Sequence, residues 1–204
     1  MTNVLIIFDT RYGNTMKLAR AVAEGAASVH GAEVRLMRVE IVEPEEIIRK
    51  NERWKEATDE YRQLPMASKD DLRWAHAIIL GSPTRFGNMS APLKTFVDRT
   101  SSLWLKGELA GKIGGVFCST SSMHGGNETT LISMMLPLFH QGLIITGMPY
   151  TTPGLATTAR GGTPYGPTSV SGPESDQGPT SEELGMAGAY GKHVTEIAKR
   201  LFRD

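Results

Sequence analysis

The sequence has very little cysteine and no excess of charge of either sign. Its 204 residues include one cysteine, Cys118, so an internal disulfide framework and a cysteine-rich zinc site are excluded. The 22 Lys and Arg residues are matched by 22 Asp and Glu residues. This balance argues against a nucleic-acid binder, which needs clustered positive charge, and against an acidic carrier that docks by charge alone.

Long apolar runs and metal-ligand patterns are also missing. No apolar run approaches the ~18 residues of a membrane span, and the first ten residues, MTNVLIIFDT, lack the basic segment of a signal peptide. The five histidines show no ligand spacing, which gives a metal site no support. We therefore expect a cytoplasmic protein with no metal, no membrane partner and no nucleic-acid partner.

Short apolar runs, typical of buried parallel strands, alternate with stretches of helical periodicity. The runs predict strands at residues 4–8, 34–39, 76–81, 113–118 and 143–145. The stretches predict helices at residues 16–26, 45–64, 88–100 with Ser90 as a cap, 127–138 with Asn127 as a cap, and 180–201 with a Thr180/Glu183 capping box. This order predicts one doubly wound α/β domain over residues 1–204, with a five-stranded parallel sheet between two helical layers.

One long segment departs from this alternation. Residues 149–179 are rich in Gly, Pro, Thr and Ser and have no periodic apolar face. A stretch of this length without structure is usually functional or disordered. We expect an irregular loop here.

In such sheets the ligand binds beyond the carboxyl ends of the strands, so the loops at that edge are the candidates for a site. The loop after the first strand, residues 9–15 (DTRYGNT), matches neither GxGxxG nor GxxxxGK[ST]. It offers hydroxyls and backbone N–H groups at a helix N-terminus, which suit a terminal phosphate that is held and not transferred. A polar turn capped by Thr15 is the alternative interpretation.

Two further loops reach the same edge. Residues 82–88 (SPTRFGN) present Arg85 and Phe86 between Pro and Gly, a pattern able to hold a planar ring; a capped turn with an exposed Phe is the alternative. Residues 119–127 (STSSMHGGN) are small and hydroxyl-rich, which allows the backbone to approach a flat ligand closely. Together the three loops indicate a binding site for a flat, phosphorylated ligand.

These segments carry a family resemblance. TRYGNT at residues 10–15 resembles the phosphate loop of flavodoxin-like proteins, with Tyr12 where flavodoxins commonly have threonine. Residues 81–104 and 160–172 resemble the flavin-dependent NAD(P)H:quinone oxidoreductases of the WrbA type. The likeness covers nearly the whole chain. It departs at about residues 47–68, and at residues 119–126, where Ser-Met-His replaces glycines.

The resemblance implies a flavodoxin-like fold, FMN as cofactor, NAD(P)H as electron donor, a quinone as acceptor and a homotetramer. It implies the following FMN contacts: Thr10, Arg11, Tyr12, Gly13, Asn14, Thr15, Pro83, Thr84, Arg85, Phe86, Gly87, Ser119, Thr120, Ser121, Ser122, His124, Gly125 and His140. It also implies substrate contacts at Tyr12 and Trp104. Catalytic roles fall to Arg85, which would stabilise negative charge near the reduced ring, and to His140, which would donate a proton to the developing hydroquinone.

Other functions are compatible with parts of the sequence. A flavodoxin-like electron carrier would bind FMN but no small substrate; the neutral charge, the 149–179 segment and Trp104 argue against it. An adaptor for a repressor protein or for DNA has no basic patch to support it. Without the resemblance, Trp104 reads as a core indole and His140 as an imidazole at a helix C-terminus. We expect two substrates to alternate at one open flavin face in ping-pong kinetics.

Overall fold

The computed structural model describes residues 1–202. Within this range the strands are β1 (Thr2–Phe8), β2 (Ala32–Arg38), β3 (Ala77–Pro83), β4 (Ile113–Thr120), β5 (Ile144–Ile145) and β6 (Thr168–Val170). The helices are α1 (Asn14–Ala27), α2 (Glu45–Ile48), α3 (Glu52–Tyr61), α4 (Lys69–Trp74), α5 (Ala91–Asp98), α6 (Ser101–Leu105), α7 (Asn127–His140) and α8 (Ser181–Leu201). The strands are parallel in the order β2-β1-β3-β4-β5, the order of flavodoxin-like doubly wound sheets, and the predicted fold is confirmed.

The fifth position of the sheet is divided between two segments. The start of β4 pairs with β5, whereas its end pairs with β6, in the registers Cys118–Thr168 and Thr120–Val170. The chain therefore leaves the sheet after β5 and returns to it some twenty residues later. The expectation that residues 149–179 are irregular throughout is wrong at β6. Its three residues, Thr-Ser-Val, are too few and too polar to show the apolar pattern of a buried strand.

The core lies on both faces of the sheet because successive strand side chains point to opposite sides. On β1, Val4, Ile6 and Phe8 pack towards α1 and α8, while Leu5 and Ile7 pack towards the opposite layer with α5 and α7. All five side chains are fully buried, as expected for a strand covered by helices on both sides. This arrangement leaves the carboxyl ends of the strands as the open edge.

Helix α8 starts as predicted. The Thr180 hydroxyl accepts from the Glu183 backbone N–H, and the Glu183 carboxylate accepts in return from the Thr180 backbone N–H, which completes the capping box. Tyr190 is fully buried and its hydroxyl donates to the Thr146 carbonyl at 2.7 Å. The sequence also predicts a buried stripe of Ala187, Tyr190, Val194, Ile197 and Leu201 on this helix, but Leu201 in the last turn is half-exposed.

Two predicted helix boundaries are wrong, and a third is confirmed. Residues 45–64 form two helices, because Asn51 accepts from the Trp54 backbone N–H and starts α3 anew. The helix predicted to end at about residue 100 is α5, which has Ser90 in the N-cap position as predicted, and α6 follows it as a separate short helix. Asn127 is the first residue of α7 and not its cap; that position belongs to Gly126, whose φ of 98° favours glycine.

Candidate active site

The three loops predicted from the sequence meet in one cleft at the carboxyl ends of β1, β3 and β4. The cleft encloses about 140 Å³. It is lined by Thr10, Arg11, Tyr12, Asn14, Thr15, Pro83, Thr84, Arg85, Ser119, Thr120, Ser121, Ser171 and Ser175. The structure therefore brings together most of the residues that the sequence assigned to a cofactor.

Unpaired donors gather at the N-terminus of α1. Gly13 occupies the N-cap position with φ 86°, and no side chain of residues 1–202 caps this helix end. The Thr10 hydroxyl is buried and has no hydrogen-bond partner in the described chain. The Thr15 hydroxyl lies 2.7 Å from the hydroxyl of Ser119. The alternative in which Thr15 is the cap is wrong, and free N–H and O–H groups at a helix N-terminus suit a bound phosphate.

The loop after β3 folds into a two-residue turn. Arg85 and Asn88 exchange two backbone hydrogen bonds of 2.8 and 3.0 Å. Both central residues, Phe86 and Gly87, have positive φ values of 52° and 76°, as in a type I′ turn. The Phe86 side chain is fully exposed. Arg85 lines the cleft and donates to the Thr84 carbonyl at 2.7 Å.

The loop after β4 divides into two parts. Ser119, Thr120 and Ser121 line the cleft, whereas Ser122, His124 and Gly125 are outside its lining. The Thr120 hydroxyl donates to the Ser122 carbonyl at 3.1 Å, so the loop turns back on itself. The part that reaches the cleft is therefore the part nearest the strand.

Two partly buried arginines line the cleft, and a buried carboxyl lies close to one of them. Asp9 directly follows β1 and is buried, and this burial raises the pKa of its carboxyl to about 6, while the positive charge of Arg85 acts in the opposite direction. Burial also lowers the pKa of the Arg85 guanidinium, and the neighbouring Arg11 adds to that effect. Arg85 thus lies near both Arg11 and the Asp9 carboxyl, and the two arginines that line the cleft favour an anionic ligand.

Sequence reasoning missed two residues of the cleft. Ser171 follows β6; its hydroxyl donates to the Thr120 carbonyl at 3.0 Å, and its backbone N–H donates to the same oxygen at 2.8 Å. Ser175 holds the Asn14 side-chain amide through its carbonyl at 3.2 Å. Both lie in the 149–179 segment. Recognising β6 would have revealed them, because the loop after it reaches the same edge of the sheet.

Two predicted residues lie elsewhere in the chain. His140 is the last residue of α7, a helix about 20 Å long that starts at the cleft edge with Asn127. Trp104, which is half-exposed, shares a second cavity with His140. Within one chain, therefore, the structure does not bring Trp104 and His140 to the cleft.

Residues 1–202 contain no group of three or more His, Cys, Asp and Glu side chains placed to hold a metal ion. In the same range, no helix combines the length and the apolar character that crossing a membrane requires.

Comparison with known proteins places this geometry in a family. The sequence family described as NADPH-dependent FMN reductase matches residues 2–148. The chain is 45% identical to the NAD(P)H dehydrogenase (quinone) of Aromatoleum aromaticum, over 98% of this chain and 97% of that protein. It is 42% identical to the protein of the same name from Syntrophobacter fumaroxidans, over 98% and 99% of the two chains.

A solved structure agrees with the fold. The crystal structure of a WrbA-like flavodoxin from Agrobacterium tumefaciens superimposes with a TM-score of 0.64 at 23% identity, covering 98% of this chain and 99% of that one. The resemblance inferred from the loop sequences is thereby confirmed. The chain belongs to the NADPH-dependent FMN reductase family, among relatives named NAD(P)H dehydrogenase (quinone).

Proposed function

We propose that this chain is an FMN-dependent NAD(P)H:quinone oxidoreductase, which moves two electrons from NAD(P)H to a quinone. The observation that carries the proposal is one cleft at the ends of β1, β3 and β4, where the Thr10 hydroxyl and the Arg11 Nε are buried and have no partner among residues 1–202. Relatives that match the chain over almost its whole length bear the name of this activity. The loops all follow strands of one sheet, so we treat the chain as one functional domain.

The cleft fits the two ends of FMN differently. The N-terminus of α1 with Thr10, Thr15 and Ser119 would hold the phosphate by neutral donors. The small side chains after β4 and β6 leave the backbone open to a flat ring. When bound, FMN supplies the hydride and electron transfer, which no protein side chain provides.

The chain's own contribution to the reaction is orientation and charge. Arg85 is held at the cleft by its bond to the Thr84 carbonyl, so its guanidinium is placed to stabilise negative charge on the reduced ring. Phe86 is adjacent to it and is exposed at the rim, where a planar substrate can pack against it. Tyr12 also lines the cleft, as a further substrate contact.

We propose a homotetramer in which a neighbour completes the site. Trp104 and Leu105 on α6, and Leu136 and Phe139 on α7, are exposed apolar side chains, and Trp104 shares a cavity with His140 of α7. Such a patch is typical of a subunit interface. Docking there would bring Trp104 and His140 to a neighbour's cleft, where the imidazole would protonate the hydroquinone oxygen.

The compartment follows from the cysteine. Cys118 is a free, buried thiol. An unpaired cysteine suits a reducing environment, so we assign the protein to the cytoplasm.

Steady-state oxidation of NADH and NADPH with benzoquinone tests the function. The account predicts turnover that depends on FMN and needs no protein partner. A protein that binds FMN but turns over only with a protein acceptor is an electron carrier, the second function compatible with the fold. A protein that binds no flavin is neither.

A further inference from the structure

Helix α3 packs against the phosphate loop through an aromatic side chain. Trp54 is buried, and the guanidinium carbon of Arg11 lies 3.8 Å from the centre of its ring. Tyr12 meets the same indole edge-on, with ring centres 6.3 Å apart. Arg11 therefore lies between the cleft and Trp54. Trp54 itself belongs to residues 47–68, where the sequence departs from the family that it resembles.

Arg11 carries an unused donor. Its Nε is buried and has no hydrogen-bond partner among residues 1–202. No carboxylate in that range forms an ion pair with Arg11. A guanidinium that is stacked, lacks a counter-ion and lines the cleft is prepared for an anion that comes from outside the chain.

The residue before Trp54 on α3, Arg53, contacts the loop after β6 on the other side of the cleft. Arg53 donates from Nη1 to the Glu174 carbonyl at 3.0 Å and from Nη2 to the Ser175 carbonyl. The Asn14 side chain donates to that same Ser175 carbonyl at 3.2 Å. The start of α3 thus links the phosphate loop to the loop after β6, and the two walls of the phosphate end are held together.

We propose that Arg11 is a charged phosphate contact that makes the cleft selective for FMN over unphosphorylated flavin, and that Trp54 is its positioning residue. This inference rests on the proposed function, since it assigns residues to the phosphate of the same cofactor. Stacking on Trp54 fixes the planar guanidinium, so less rotamer freedom is lost when it pairs with a phosphate. The neutral donors of α1 hold the phosphate, and Arg11 adds the charge.

Titration of deflavinated protein with FMN and with riboflavin, followed by quenching of flavin fluorescence, tests this. Riboflavin lacks the phosphate. Arg11→Met keeps an unbranched apolar side chain on Trp54 but removes the charge, so it weakens FMN binding roughly tenfold to a hundredfold and leaves riboflavin binding unchanged. Trp54→Leu weakens FMN binding about threefold to tenfold and leaves riboflavin binding unchanged. Trp54→Phe keeps an aromatic face under Arg11, so it retains much of the FMN affinity that Trp54→Leu loses.

A matched control comes from another part of the molecule. Arg35 stacks on Trp74 at the same 3.8 Å, and neither residue lines the cleft. Arg35→Met therefore leaves both affinities unchanged, and circular dichroism checks that every variant is folded. Equal FMN binding by Arg11→Met and the wild type overturns this inference but not the proposed function. An Arg11→Met variant that loses the same affinity for FMN and for riboflavin has the same consequence. Failure of the wild type to bind FMN overturns the proposed function as well.

Discussion

The side-chain hydroxyls of Thr15 and Ser119 lie 2.7 Å apart, although 104 residues separate them in sequence. One belongs to the first turn of α1 and the other to the end of β4, so this contact joins two of the three loops at the phosphate end of the cleft. Either hydroxyl can be the donor in this contact, and the one that accepts keeps its own hydrogen for a phosphate oxygen.

Removal of the Thr15 hydroxyl should weaken FMN binding. A hydrogen bond to a charged group is worth about 1.5–3 kcal/mol, so Thr15→Ala is expected to raise the Kd roughly tenfold to a hundredfold, while Thr15→Ser stays near the wild type. The measurement is fluorescence titration with FMN. Thr195→Ala is a matched control, because this buried threonine of α8 bonds only the Gly191 carbonyl in the described structure. Unchanged FMN affinity in Thr15→Ala would remove the phosphate assignment.

Phe86 occupies a backbone conformation that costs energy for a bulky residue. Its φ is 52°, and an Asn-Gly pair is preferred at the centre of such a turn. Phe86→Asn should raise the free energy of unfolding by about 1 kcal/mol, and the melting temperature by about 2–4 °C. It should also lower quinone turnover, because an aromatic surface at the cleft is lost.

Thermal unfolding and steady-state kinetics measure the two effects of Phe86→Asn separately. A variant that is more stable and fully active would show that the exposed ring has no part in substrate binding. A variant that is less stable would show that the ring stabilises the turn by contacts absent from this structure.

Asp9 should make stability depend on pH. Its pKa is about 6 in the folded chain, against an ordinary 3.8. The folded state therefore keeps the proton over a range in which the unfolded state loses it. Below about pH 4 the carboxyl is protonated in both states, so its burial does not lower the free energy of unfolding. Above about pH 6 it is ionised in both states, and its burial lowers the free energy of unfolding by up to about 3 kcal/mol. Urea unfolding of the wild type and of Asp9→Asn measures this cost. The wild type should lose stability relative to the variant as pH rises through that window, and a difference independent of pH would contradict the shift.

The apolar surface of α7 should hold the oligomer together. Leu136→Asp places a charge in the proposed interface, so we expect dissociation to smaller species, together with reduced quinone turnover as a neighbour's Trp104 and His140 are withdrawn. Leu201→Asp is a matched control, because this leucine of α8 is exposed to a similar extent on a different helix. Light scattering gives the mass. A wild type that is monomeric with and without FMN would contradict the assembly.

The fold could be predicted because its strands are buried on both faces and therefore read as apolar runs, as in residues 4–8 of β1. The same rule fails for β6, because its three residues are buried but two of them, Thr168 and Ser169, are polar. The break between α2 and α3 was also hidden, since Ile47, Trp54 and Tyr61 keep a seven-residue spacing across it. That spacing continues through a break made by one capping side chain, Asn51.

The cleft could be predicted to the extent that it depends on the ends of strands. Loops after β1, β3 and β4 must meet at one edge of a parallel sheet, and they do. The contribution of Trp54 could not be predicted, because a tryptophan at helical spacing is compatible with any core position. Nor could sequence similarity show that Trp104 and His140 lie away from the cleft of their own chain, since it assigns residues to a site and not to a subunit.

The central claim is that NAD(P)H and quinone exchange electrons through one flavin cleft that admits one planar partner at a time. Initial rates over a grid of NADH and benzoquinone concentrations test this directly, with the FMN-loaded wild type. The account predicts parallel lines in double-reciprocal plots, because NAD(P)⁺ leaves before quinone binds, and competitive inhibition by either substrate at high concentration. Lines that intersect to the left of the axis would show that both substrates bind together, and the single-cleft mechanism would then be wrong.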